Sequence, residues 1–248
     1  MTDRPVTDQS VTDRLTPPRC ALAIGAHPDD VEFGAGGTLA QWAAAGTELH
    51  LLVLTDGAKG TWNADDDPAA LVTTRTEEAI AAARSLGDGT VHFGGFVDGE
   101  LDSDEACRRT VCRVVREVQP QIVLGHDPWK RYRLHPDHRH AGWATVDGVV
   151  AARDPHFFPG LGGAHHRPEA LLLFEADEPN YVESIAAGLD QKVAALLCHR
   201  SQWLSTMDID PQTADLEAAI ASFRDRVAAR GRADDGAAVE RFHLIRDL

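Results

Sequence analysis

Between Ala23 and Trp42 the chain reads AIGAHPDDVEFGAGGTLAQW, an apolar run that stops at His27, Pro28 and the adjacent Asp29 and Asp30. Far downstream, DPWKRYRLHPDHRH, Asp127 to His140, holds a second cluster with His135, Asp137 and His138. Imidazole nitrogens and carboxylate oxygens, with no cysteine at hand, suit zinc or another first-row divalent metal in a catalytic rather than a structural centre. A hydrolytic site of that kind needs three protein ligands, an open position for water, a base for that water and a group that stabilises an oxyanion. The six residues His27, Asp29, Asp30, His135, Asp137 and His138 are enough for all of these roles. Adjacent aspartates in a tight turn after Pro28 let one bind metal while its neighbour reaches the coordinated water. Residue types alone do not say which does which.

Two clusters so far apart in sequence act together only if the fold joins them. Strand-like runs fall at Ala21–Ile24, Leu49–Leu54, Val91–Phe93, Ile122–Leu124 and Leu171–Phe174, short and nearly continuously apolar, as buried parallel strands read. Helical patterns lie between them. One runs from about Gly37 to Ala45 and stops at Gly46; another runs from about Thr74 to Leu86 and stops at Gly87. A third starts near Ser103, with Cys107, Val111, Val114, Val115 and Val118 on one face before Pro120. Leu216, Ile220, Phe223 and Val227 repeat the spacing, and AVERFHLIR returns as a last strand. The alternation predicts an α/β, Rossmann-like layered fold with a mostly parallel central sheet flanked by helices. In strand order 3-2-1-4-5 the first and fourth strands are neighbours, and their carboxyl ends form the switch-point crevice where ligands bind. Both clusters follow those ends.

Composition sets the background. The chain has 248 residues, 43% hydrophobic, with 24 Lys and Arg against 39 Asp and Glu, a net charge of −15. That balance disfavours nucleic acid and anionic membrane as partners. Residues 1–18 read as a flexible polar leader and 19–248 as a single α/β domain. Cys20, Cys107, Cys112 and Cys198 have no C-x-x-C spacing and read as free thiols in a reducing compartment. With no apolar leader and no run long enough to span a bilayer, a cytoplasmic protein is expected.

Several features have plainer readings. Gly34, Gly36 and Gly37 are spaced G-x-G-G, not as a dinucleotide fingerprint, and suit close packing at a helix start. Pro136 fits a first helical position with His135 as cap, which leaves His138 projecting from the first turn. His165 and His166 read as solvated, and His126 and Asp127, at the end of the fourth strand, read either as lining the pocket or as only its wall, outside the catalytic set. The Trp129–Arg133 segment reads equally as a sugar-stacking, anion-meeting rim and as an exposed loop or subunit contact. Trp62, beside the acidic run Asp65–Asp67, reads as part of a solvated loop more simply than as a lid.

AHPDDVEFGAGGTL together with HPDH resembles the PIG-L/LmbE-type N-acetylglucosaminyl deacetylases, over a stretch from about Ala21 to the HRSQ at His199–Gln202. The resemblance implies a zinc-dependent amide hydrolase that removes the acetyl group from a small amino-sugar conjugate, with Zn2+ or another divalent transition metal as cofactor. It implies His27, Asp30 and His138 as ligands and Asp29 as general base. His135 would polarise the carbonyl or protonate the leaving amine, with Asp137 beside it as orienter, and Arg75 would contact the sugar. Similar enzymes include hexamers, so a homo-oligomer is compatible. Val31 after the aspartate pair and Glu32 beyond it match the HPDD-x-E branch, which includes deacetylases of thiol-biosynthesis intermediates. Two other functions share these residues: an amidase acting on a thiol or sugar conjugate, and a non-catalytic sugar- or nucleotide-binding Rossmann-like protein.

Overall fold

The computed structural model describes residues 14–233 and 236–248. Five parallel strands, β1 (Cys20–Gly25), β2 (Glu48–Thr55), β3 (Thr90–Phe96), β4 (Ile122–His126) and β5 (Ala170–Phe174), are slightly longer than the runs expected from sequence. Two further strands, β6 (Tyr181–Ser184) and β7 (Val239–Arg246), complete one sheet in the order β3-β2-β1-β4-β5-β7-β6. β7 runs antiparallel to β5, and β6 antiparallel to β7. The 3-2-1-4-5 order is therefore present, and β4 lies directly beside β1.

Alternate strand residues face opposite layers, so each short apolar run feeds two cores. Ala21, Ala23, Leu49, Leu51, Leu124 and Leu172 pack with residues of α1 (Asp30–Ala44), α2 (Pro68–Gly87) and α5 (Leu189–Cys198). Leu22, Ile24, Leu52, Val123 and Leu171 pack instead with α3 (Glu105–Val118) and α4 (Pro136–Arg153). A third cluster joins α5 to α6 (Leu216–Arg230) through Leu196, Trp203, Phe223 and Val227. No helix among the described residues is long and apolar enough to cross a membrane.

Helix α1 starts at Asp30, two turns before the expected Gly37. Its glycines are points of close approach: a Cβ on Gly34 would lie 2.5 Å from the Phe174 ring, and one on Gly37 2.6 Å from Ile185 Cβ. The amides of Gly37 and Thr38 donate to the Glu240 carboxylate at 2.9 and 2.8 Å, and Lys192 Nζ donates to Glu240 and to the Phe33 carbonyl. Strand β7 and helix α5 thus anchor the helix that carries the first motif. Helix α4 has His135 as N-cap and Pro136 at its first position. The expected leader over residues 1–18 falls largely outside the described residues. Of its last part, Arg14 pairs with Glu183, the Leu15 amide donates to the Tyr181 hydroxyl, and Thr47 Oγ1 donates to the Pro18 carbonyl.

Candidate active site

The first motif leaves β1 as a tight turn. Asp29 sits at φ +106°, a left-handed conformation that is costly outside glycine and persists only where surrounding contacts enforce it. Those contacts are present. The His27 amide donates to Asp30 Oδ2 at 2.7 Å, and the Phe33 amide to the Asp29 carbonyl at 3.0 Å. Arg75 donates to the carbonyls of Pro28 and Gly57 at 2.6 and 3.0 Å. The second motif enters from the start of α4, so β1 and β4 bring the two clusters into one cleft of about 460 Å³.

Three expected ligands converge there. His27 Nδ1 is 3.2 Å from His138 Nε2 and 3.4 Å from Asp30 Oδ2, and His138 Nε2 is 3.2 Å from Asp30 Oδ1. Bonds of about 2.0–2.1 Å to a tetrahedral zinc separate neighbouring donors by roughly 3.3 Å. The donor set fits such an ion in chemistry and in span.

A second ring of groups fixes these donors. His27 Nε2 lies 3.1 Å from both Asp137 Oδ2 and Asp98 Oδ1, so a proton held there leaves Nδ1 free to bind metal. Asp137 accepts from the amides of Gly99 and Leu101, and Asp98 from the Lys59 amide. Asp30 Oδ2 is backed by His126 Nε2 at 3.2 Å; His126 stacks on His138 and points Nδ1 at Glu175 Oε2, 3.8 Å away. Arg133 pairs with Glu175 and donates to His138 Nδ1 at 3.0 Å. That contact puts the proton of a neutral His138 on Nε2, so binding a metal through Nε2 requires the proton to move to Nδ1 and the Arg133 contact to be released.

The electrostatics favour a cation. Burial pulls the His27 imidazole down, but hydrogen bonds to Asp137, Asp30 and Asp98 lift it to about 12. Burial would raise the Asp30 carboxyl, yet His138 and His126 hold it well below the ordinary range. Asp29 goes the other way: burial pushes it up to about 6, against the pull of Arg75. His135 is lowered, first by burial and then by the charges of His27 and His138. Burial would also raise Glu175, but His126 and Arg133 bring it to about 2. Replacing Glu175 with Gln should weaken metal binding about 10–100-fold, the usual cost of losing an outer-shell partner. Competition with a chromophoric chelator measures this directly.

Two residues have contacts other than those expected. Asp137 was expected beside His135 as its orienter, but its carboxylate is turned to His27, where buried amides hold it; only its backbone N–H reaches His135 Nδ1, at 3.3 Å. His135 instead stands exposed at the cleft, its ring centroid 4.7 Å from that of His27, with Nδ1 accepting and Nε2 left to carry the proton. Arg75 was expected on the sugar. It lines the cleft but is 3% exposed, donates to two backbone carbonyls and lies 3.7 Å from Asp29 Oδ2.

Asp98, His126, Arg133 and Glu175 belong to the site without having been assigned a role. Asp98 and Glu175 follow the carboxyl ends of β3 and β5, so the rule that located the two motifs extends to their neighbours. The Trp129–Arg133 segment divides: Trp129 and Tyr132 are exposed while Arg133 turns inward. Trp62 stands at the cleft rim, 87% exposed. His199, of the HRSQ segment, is wholly buried with Nε2 3.6 Å from Glu32 Oε1.

A mostly parallel α/β sheet with a two-histidine, one-aspartate donor set at its switch point defines a Rossmann-like protein with a candidate three-ligand metal centre. The chain belongs to the GlcNAc-PI de-N-acetylase (PIG-L) family, whose pattern matches residues 22–149. It is 35% identical to the diacetylchitobiose deacetylase of Thermococcus kodakarensis, over 73% of this chain and 69% of that protein. It is 30% identical to a 1D-myo-inositol 2-acetamido-2-deoxy-alpha-D-glucopyranoside deacetylase of Saccharopolyspora erythraea, over 73% and 82% of the two chains. The structure of N,N'-diacetylchitobiose deacetylase from Pyrococcus horikoshii, in complex with an inhibitor, superposes with a TM-score of 0.80 and 27% identity, covering 92% of this chain and 84% of that one. The 4-oxalmesaconate hydratase of Pseudomonas putida is also 30% identical, over 75% of each chain.

Proposed function

We propose that this protein is a zinc-dependent deacetylase that hydrolyses the acetamide of an N-acetylglucosamine-type conjugate, in the reducing cytoplasm that suits its four free thiols. The observation that carries the reading is the buried Asp29, raised to about 6, adjoining a donor set spaced for a tetrahedral ion. A bound zinc supplies a Lewis acid for the carbonyl oxygen and lowers the pKa of a bound water to about 7.

The chain's own groups do the rest. Asp29 takes a proton from water as the water oxygen bonds to the acetamide carbon, and its raised pKa makes it a competent base near neutrality. His135, presenting Nε2–H to the cleft, donates to the developing oxyanion. Asp29 then passes the proton it took from water to the nitrogen as the C–N bond breaks, because an unprotonated amine is a poor leaving group; acetate and a free glucosamine conjugate result. Asp98 and Asp137 hold His27 in its binding tautomer, while Glu175, through His126, steadies Asp30. The deacetylase relatives support the acetyl substrate.

Arg75 tunes the base. A neighbouring guanidinium lowers a carboxyl by about 1–3 pKa units. Arg75→Met should therefore move the acid limb of kcat/KM, expected near pH 6 for Asp29, to higher pH. Activity requires the ionised carboxylate, so it is lost as pH falls through that limb. A raised KM with an unmoved limb would return Arg75 to the sugar.

The metal requirement has its own test. Stripping the protein with a chelator should abolish acetate release, and one equivalent of zinc should restore it. Full activity in stripped protein would refute the metal-dependent reading.

A further inference from the structure

At the opposite edge of the sheet the strand register assembles a second set of donors. Cys20 and Glu48 are register partners at the starts of β1 and β2, and His50 is two residues further along β2 on the same face. One ligand atom from each of the three, a thiol sulfur, a carboxylate oxygen and a ring nitrogen, lies within 4.8 Å of the other two. His50 Nε2 is 3.1 Å from Glu48 Oε1. His50 Nδ1 is 3.0 Å from Nε2 of His92, on the neighbouring strand β3, and the two rings stack with centroids 5.2 Å apart. A strand rises about 3.3 Å per residue, so Cys20 is roughly 20 Å from the His27 end of β1. This cluster shares no residue with the cleft.

The arrangement has the two layers of a metal site. His50 offers Nε2 on the side of Glu48, and its other nitrogen is paired with a second imidazole. His92 Nε2, 3.0 Å from His50 Nδ1, is placed to accept the Nδ1 proton. That is the outer-shell bond that fixes a ligating histidine in its Nε2-binding tautomer. The three ligand atoms lie within 4.8 Å of one another, and Glu48, with its side chain 71% exposed, is the arm with room to adjust that spacing to an ion. The Cys20 thiol now makes only a long contact, 3.8 Å, to the Val118 carbonyl. A bound cation stabilises the thiolate form of Cys20 as a ligand.

We propose that Cys20, Glu48 and His50 form a second site, with His92 as its outer partner, for a borderline-soft divalent transition-metal ion such as zinc or cobalt(II). The mixed sulfur, nitrogen and oxygen donors select against magnesium and calcium, which take oxygen ligands. Binding replaces the thiol proton by the ion, which also takes the lone pair of His50 Nε2, and involves no redox step. The ion ties β1 to β2 at their exposed starts, and any affinity restricted to the folded chain adds to stability by mass action.

Cobalt(II) titration of metal-stripped, full-length protein under reducing conditions tests the site. A thiolate–cobalt charge-transfer absorption in the near ultraviolet reports on this site alone, because the cleft has no sulfur. Wild type should bind two equivalents and show the absorption. Cys20→Ser should bind one equivalent, lose the absorption and retain zinc-supported activity, whereas Cys198→Ser should keep the absorption. His50→Gln should weaken the second equivalent at least about tenfold, independently of any folding defect in the Cys20 variant. A folded wild type with one equivalent and no charge-transfer band overturns the proposal, as does a band that survives Cys20→Ser. Neither result bears on the cleft, whose own equivalent remains.

Discussion

Asp29→Asn is expected to lower kcat by about 10²–10⁴-fold, the usual contribution of a positioned general base, with the metal content unchanged. Asparagine is the informative replacement. It keeps the shape of the side chain and tolerates the left-handed backbone at φ +106°, whereas alanine would add strain to the same turn. Asp30, the neighbouring residue proposed as ligand, starts α1 and receives the His27 amide, so the proposed donor set does not depend on the Asp29 carboxylate. Steady-state kinetics beside elemental analysis separates the two effects. An Asn variant with wild-type kcat would remove Asp29 from the role of base.

His138→Ala should abolish retention of the cleft metal. The ring provides one of three donors and also stacks between His126, at 4.5 Å, and His135, at 4.8 Å. Its loss leaves His27 and Asp30 as a two-donor remnant and should cost more than the roughly 10–100-fold penalty of an outer partner. His138→Gln, which preserves more of the packing, should show the same deficit. Metal per chain after exhaustive dialysis, measured with Cys20→Ser as background, distinguishes this site from the proposed second one. One retained equivalent in both His138 variants would mean that the ion sits elsewhere.

That the two motifs meet in one cleft was legible in the sequence because the signals are local. The apolar runs of β1 and β4 end directly at the two motifs, and their adjacency follows from the handedness and order of parallel crossovers. Partner choice was not legible. Asp137 is next but one to His135 in the chain, yet its rotamer and the Gly99 and Leu101 amides commit it to His27. Asp98 and Glu175 are single acids in loops with no repeating pattern around them, and only the sheet brings them to the metal donors. Helix α1 was misplaced for a related reason. Glycine costs a helix about 1 kcal/mol relative to alanine, so the glycine-rich stretch reads as preceding the helix. Packing against Phe174 and Ile185, which no larger residue would permit, offsets that preference. Strand β6 and helix α5 carry short or mixed patterns and gain their shape from β7 and α1.

The hydratase relative makes reaction type the question to settle first. Zinc-loaded protein should be incubated near neutral pH with N,N'-diacetylchitobiose and with N-acetylglucosaminyl-inositol, and acetate and primary amine quantified in the same samples. The account predicts equimolar acetate and amine from at least one of these N-acetylglucosaminides, and neither product with Asp29→Asn. No acetate from either substrate, in protein that holds its cleft metal, would contradict it.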